Sequence, residues 1–151
     1  MNEQRKREEA IGDALLLVSA RLYLNLRKEV PYSLQTRVIS QMVNNDKLIE
    51  IAAREGIKGE IGERLCDAFE VEIAHHYFNH GFRDTKLWLW GIFDKYFDLK
   101  EEVRRILQPT PQDKLERQIR GVLKTALSNG QIDVQHTAQM IVKVLRGAGS
   151  I

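Results

Sequence analysis

Apolar residues recur at spacings of three and four along nearly the whole chain, and no stretch sustains the alternation of a strand between turn signals. The pattern predicts an all-α protein. A first long helix is expected over about residues 4–28, stopping before Pro31, with Leu16, Leu17, Ala20 and Leu24 continuing one face. Ser33 is placed to cap a second helix carrying Leu34, Val38 and Met42, and a short helix with Leu48, Ile51 and Ala52 ends at Gly56. After a glycine-containing loop, a second long helix is expected over about residues 61–79, ended by Gly81. Trp88, Leu89, Ile92, Phe93 and Tyr96 then form a broad stripe, best read as core or subunit interface, with Asp84 or Thr85 near its N-cap. "LKEEVRRIL" makes a further helix, and "PTP" at residues 109–111 is the strongest boundary signal. It divides the chain into residues 1–108 and a two-helix tail, residues 109–151.

Composition changes this picture little. The 151 residues are 43% apolar, enough for a sizeable core, and the formal charge of +2 does not by itself announce a nucleic-acid binder. The distribution says more: residues 112–146 hold six Lys or Arg against three acids, with Lys114, Arg117, Arg120 and Lys124 opposite the apolar side Leu115, Ile119, Val122 and Ala126. That basic face is a candidate contact for RNA phosphates. The single cysteine, Cys66, excludes an internal disulfide and is expected to be a buried thiol in a reducing, cytoplasmic setting. Asp13 and Arg21 interrupt the first apolar run, so neither a signal peptide nor a membrane span is expected.

The chemistry is suggested by carboxylates. Glu9 and Asp13 are four apart, about 40° from one another on a helix, and lead into an apolar stripe. Asp67 and Glu70 are three apart and lead likewise into Val71, Ala74 and Phe78. Taken singly, each pair has an ordinary reading: Glu9 pairs with Arg5, or Asp67 favours the start of its helix through the macrodipole. The repetition points further. If the two stripes pack and the helices cross near their acidic ends, four carboxylates surround one space, and such a cluster takes up protons or binds cations. Oxygen ligands on rigid helices suit Mg²⁺, with Mn²⁺ as a substitute, and a metal so held can drive phosphodiester hydrolysis.

At these residues the sequence resembles the ribonuclease III family. "EEAIGDALLLVSARLYL" is similar to that family's signature helix, "LCDAFEVEIAHHYFNHGF" to its second acidic motif, and "VISQMVNNDKLIEIAAREGI" to its connecting helices. The resemblance runs from residue 5 to about residue 107 and implies a ribonuclease III-like helical domain. It places Glu9, Asp13, Asp67 and Glu70 on the family's metal-binding acids, with Asp13 and Glu70 as catalytic residues. The implied activity is cleavage of double-stranded RNA by a Mg²⁺-dependent homodimer, leaving 5′-phosphate and 3′-hydroxyl ends. Lys6 stands where the family usually carries another acid, and the tail does not have the type of a double-stranded-RNA-binding domain, a layout similar to the family's minimal branch.

Two other functions fit parts of the pattern. One is a non-catalytic ribonuclease III fold acting as an RNA-binding or ribosome-assembly scaffold. The other is an all-α, Mg²⁺-dependent nucleotide pyrophosphohydrolase, although the 54 positions between Asp13 and Asp67 exceed the spacing expected there. His75, His76 and His80 invite an HD-phosphohydrolase reading, but no Asp adjoins them, and packing or surface roles are expected.

Overall fold

The Asn2 side chain accepts the Arg5 amide at 2.7 Å and so starts α1 (Glu3–Asn25). The computed structural model describes residues 2–128 and 134–147, with side chains omitted at 126–137, and the described residues contain helices and no strand. A 3₁₀ turn (Tyr32–Leu34) leads into α2 (Gln35–Met42) and α3 (Asn45–Arg54), the latter capped by Asn44 and closed at Gly56 with φ 73°. Ser33 thus lies inside the 3₁₀ turn, and α2 begins without a side-chain cap. The second long helix, α4 (Leu65–Tyr96), starts four residues later than the sequence pattern suggests, because residues 57–64 remain loop. α5 (Leu99–Leu107), α6 (Pro111–Ser128) and α7 (Val134–Gly147) follow.

Gly81 breaks α4 into two arms. Its φ of 82° and ψ of 176° belong to a region that is essentially glycine's alone. The Thr85 hydroxyl donates to the Gly81 carbonyl at 2.8 Å, which leaves His76 Nδ1–H as the donor in its 2.9 Å bond to Thr85 Oγ1. Residues 77–84 are exposed around this corner.

The chain divides into two compact units, Met1–Val103 and Arg104–Ile151. In the first, α1 packs along α4, with α2 against α1 and α3 against α4. Leu16, Ala20, Tyr23 and Leu24 of α1 are buried, as are Phe69, Ile73, Ala74, Leu89, Ile92 and Phe93 of α4. Tyr23 fixes the alignment: its ring centroid lies 5.2 Å from that of Phe93 and its hydroxyl donates to Asp94 at 2.6 Å. Two expected core positions lie outside. Leu17 is 40% exposed because it sits 100° around the helix from Leu16, past the buried arc, and Phe78 is 53% exposed because it belongs to the Gly81 corner. Truncating a core residue such as Leu16 costs about 2–5 kcal/mol.

In the second unit, a reciprocal capping box opens α6: Asp113 N–H donates to Thr110 Oγ1 at 3.0 Å and Thr110 N–H to Asp113 Oδ2 at 2.8 Å. Hydrogen bonding from Thr110, its backbone N–H first, pulls the Asp113 carboxyl down to about 2, with Arg104 assisting. Pro111 supplies the first helical residue, where its missing N–H costs nothing. Leu115, Ile119 and Val122 are half-buried, while Lys114, Arg117, Arg120 and Lys124 are exposed. Ala126 lies outside the described side chains.

Candidate metal centre

The acidic motifs meet because of Gly12. Its Cα faces the Glu70 backbone so closely that a Cβ there would overlap the Glu70 carbonyl oxygen and lie 2.9 Å from Glu70 Cα. Glycine inside a helix costs about 1 kcal/mol relative to alanine, and here it permits a backbone-to-backbone crossing of α1 with α4. On α1, Glu9 lies three residues before this contact; on α4, Asp67 lies three residues before Glu70. Glu9, Asp67 and Glu70 accordingly bring carboxylate oxygens within 4.8 Å of one another.

The three differ in surroundings. Glu70 is 9% exposed, and no donor among the described residues hydrogen-bonds to its carboxylate. Burial first, then the charges of Asp13, Glu9 and Asp67, push its pKa up to about 7, with Arg64 opposing. Glu9 is half-buried and its pKa is also raised, by burial and then by the neighbouring Asp67 carboxylate. Asp67 is held differently. The Arg64 guanidinium forks onto it, Nε to Oδ2 at 2.9 Å and Nη2 to Oδ1 at 3.0 Å, and the Cys66 thiol lies 3.7 Å from Oδ1. Cys66 is buried, as its sequence context suggested, and burial pushes its thiol pKa up.

Asp13 stands apart from this group. It is exposed and outside the 4.8 Å cluster, yet its charge is the largest influence on Glu70 after burial. Of the four acids singled out from sequence, three converge and the fourth acts at the edge. Arg5 is not the partner of Glu9. Its Nε and Nη2 donate to the two Glu63 oxygens at 2.6 Å each, while Glu63 Oε1 also accepts the Glu60 amide at 3.1 Å. That fork pins the loop that delivers Arg64 and Asp67 to the site, and it holds the Glu63 carboxyl below its usual range.

Two functional positions escaped sequence reasoning. Gly12 was visible as a glycine in mid-helix on the side turned toward the partner helix, immediately before Asp13, and Arg64 as a cation three residues before Asp67. The histidines take local roles. His75 Nε2 lies 2.9 Å from Glu8 Oε2, and His76 stacks on Trp88 at 4.6 Å and 11°.

A buried carboxylate with no donor, beside two more carboxylates, is a set of hard oxygen ligands with negative charge to spare. Its chemistry fits a divalent cation of the Mg²⁺, Mn²⁺ or Ca²⁺ class and does not fit a thiol- or imidazole-seeking ion. Among the described residues no helix is long and apolar enough to cross a membrane. Comparison with protein-family models, with curated proteins and with solved structures found no match to this chain.

Proposed function

We propose that the chain is a ribonuclease III-type endoribonuclease that hydrolyses double-stranded RNA with Mg²⁺, leaving 5′-phosphate and 3′-hydroxyl ends. The observation that carries this reading is the convergence of Glu9, Asp67 and Glu70 within 4.8 Å across a crossing of two helices whose sequences resemble that family's two motifs.

Glu9, Asp67 and Glu70 would hold the ion. When bound, Mg²⁺ supplies Lewis-acid polarisation of a phosphodiester and lowers the pKa of a water nucleophile. The protein's share is positioning and proton handling. The Glu70 backbone lies against Gly12 of α1, and in the metal-free protein burial and the charges of Asp13, Glu9 and Asp67 push its carboxyl up to about 7, so that it gives up a proton as the ion binds near neutral pH. Asp13, on the solvent side, is placed to reach groups that approach from outside while its charge keeps Glu70 basic. The exposed basic face of α6, Lys114, Arg117, Arg120 and Lys124, supplies sequence-independent contacts to phosphates. Ile11, Val18 and Leu22 support a homodimer: they fall within about 40° of one another on α1 and are exposed at 37%, 42% and 38%. Two such subunits would cut one strand each.

The test is incubation of long duplex RNA and of nucleoside triphosphates, each with and without Mg²⁺, using wild type, Glu9→Gln and Glu70→Gln. Duplex cleavage should require Mg²⁺ and fall by at least about a hundredfold in either variant, with the helical circular-dichroism spectrum retained. Cleavage that survives both substitutions removes the site assignment. Hydrolysis of triphosphates instead of RNA selects the pyrophosphohydrolase, and Mg²⁺-independent RNA binding without cleavage selects the scaffold.

A further inference from the structure

Two arginine forks flank the acidic centre, and they are built differently. Arg5 and Glu63 are withdrawn from solvent, with side-chain exposures of 16% and 4%, so that pair is a fixed clamp on the loop. In the Arg64 fork, the Asp67 side chain is 12% exposed but that of Arg64 is 61% exposed. Arg64 therefore reaches in from solvent to occupy both oxygens of a carboxylate that belongs to the cluster. Among the described residues no other hydrogen bond holds its side chain: it stands at the N-cap position of α4 yet makes no side-chain cap bond. Its release therefore breaks no side-chain cap of α4.

Resting on the reading above, we propose that Arg64 is the resident cation of this centre in the metal-free protein, and that a divalent ion binds by displacing its guanidinium from Asp67. A divalent ion on the Asp67 oxygens would lie close enough to the guanidinium to repel it, and the cation on the long, 61% exposed side chain is the one that yields. The exchange keeps the cluster compensated in both states. It also makes the intrinsic affinity for Mg²⁺ lower than three converging carboxylates would otherwise provide, because the ion must first break a charge-assisted fork.

The experiment has two arms on the full chain. In the first, NMR follows the Arg64 Nε–H and the backbone amides of Glu9 and Glu70 during Mg²⁺ titration. The Nε–H should shift and lose its protection from exchange along the same binding curve as those amides. In the second, free Mn²⁺ is measured by electron paramagnetic resonance for wild type, Arg64→Gln and Arg64→Lys. Arg64→Gln should tighten Mn²⁺ binding by roughly fivefold, in keeping with loss of an exposed charge pair, and Arg64→Lys by less, since a point charge cannot replace the fork. Amides that move while the Arg64 Nε–H stays fixed and protected would overturn the displacement alone, as would equal or weaker Mn²⁺ binding by Arg64→Gln. Absence of Mn²⁺ binding at millimolar concentration in wild type and both variants would overturn the metal centre and the displacement together. Should Arg64→Gln not fold, the wild-type NMR arm and Arg64→Lys decide the matter.

Discussion

Glu70 is the residue on which the electrostatics of this protein concentrate. Its carboxyl titrates near 7 instead of its ordinary 4.5, because it is buried and faces the charges of Asp13, Glu9 and Asp67. A raised carboxyl pKa means the folded state holds a proton that the unfolded chain has already lost. Its contribution is therefore fully present below about 4.5, and stability falls as pH climbs through about 7, by roughly 3 kcal/mol in all. In chelator, the thermal midpoint of Glu70→Gln should change little relative to wild type at pH 5 and exceed it at pH 8. Mg²⁺ should raise the wild-type midpoint more at pH 8 than at pH 6, since the ion must displace the Glu70 proton in acid. A difference between wild type and Glu70→Gln that does not vary with pH would show that Glu70 titrates normally. The identity of the acids was legible in their spacing. Their inequality was not, because burial and neighbouring charge decide which carboxylate keeps a proton.

Among the helices, the crossing of α1 over α4 makes the site, and Gly12 makes the crossing. A methyl at position 12 would collide with backbone, which has no rotamer through which to give way, so the helices must separate. Gly12→Ala is expected to cost roughly 3 kcal/mol or more despite its better helix propensity, and to weaken Mn²⁺ binding at least tenfold by parting Glu9 from Glu70. Chemical denaturation and Mn²⁺ titration check the two effects; a stabilised Gly12→Ala that binds normally would contradict the close approach of the two backbones. Much of this arrangement could be read along the chain. The stripe Leu16, Ala20 and Leu24, the buried set Leu48, Ile51 and Ala52, and the break at Gly81 all lie where the periodicity places them. Leu17 and Phe78 do not, because a stripe read from spacing has no edges until a second helix covers part of it.

Two exposed surfaces outside the acidic cluster each carry a test of the proposed function. If Ile11, Val18 and Leu22 form the contact between two copies, Leu22→Glu should convert a dimer into a monomer in light scattering while leaving the buried α1 face untouched. An unchanged dimer would place the interface elsewhere. If the α6 face touches RNA, replacing Lys114, Arg117, Arg120 and Lys124 by Ala should weaken binding to all duplexes alike. It should also make the salt dependence shallower, by roughly 0.7–0.9 in log–log slope for each phosphate no longer neutralised. An unaltered slope would return that face to simple solvation.

The helical class and the acidic positions were already written in the chain, since the spacing of apolar and charged residues along a helix is a local property that survives without knowledge of partners. Which carboxylates meet depended on how segments far apart in sequence cross. Gly12 let two backbones touch and brought Glu9 to Asp67 and Glu70, while Asp13, on the same helix and equally prominent in sequence, stayed in solvent. Arg64 could join Asp67 by its spacing of three along the chain, but Arg5 joined Glu63, 58 positions away, because ion pairing between distant segments follows distance and burial in three dimensions.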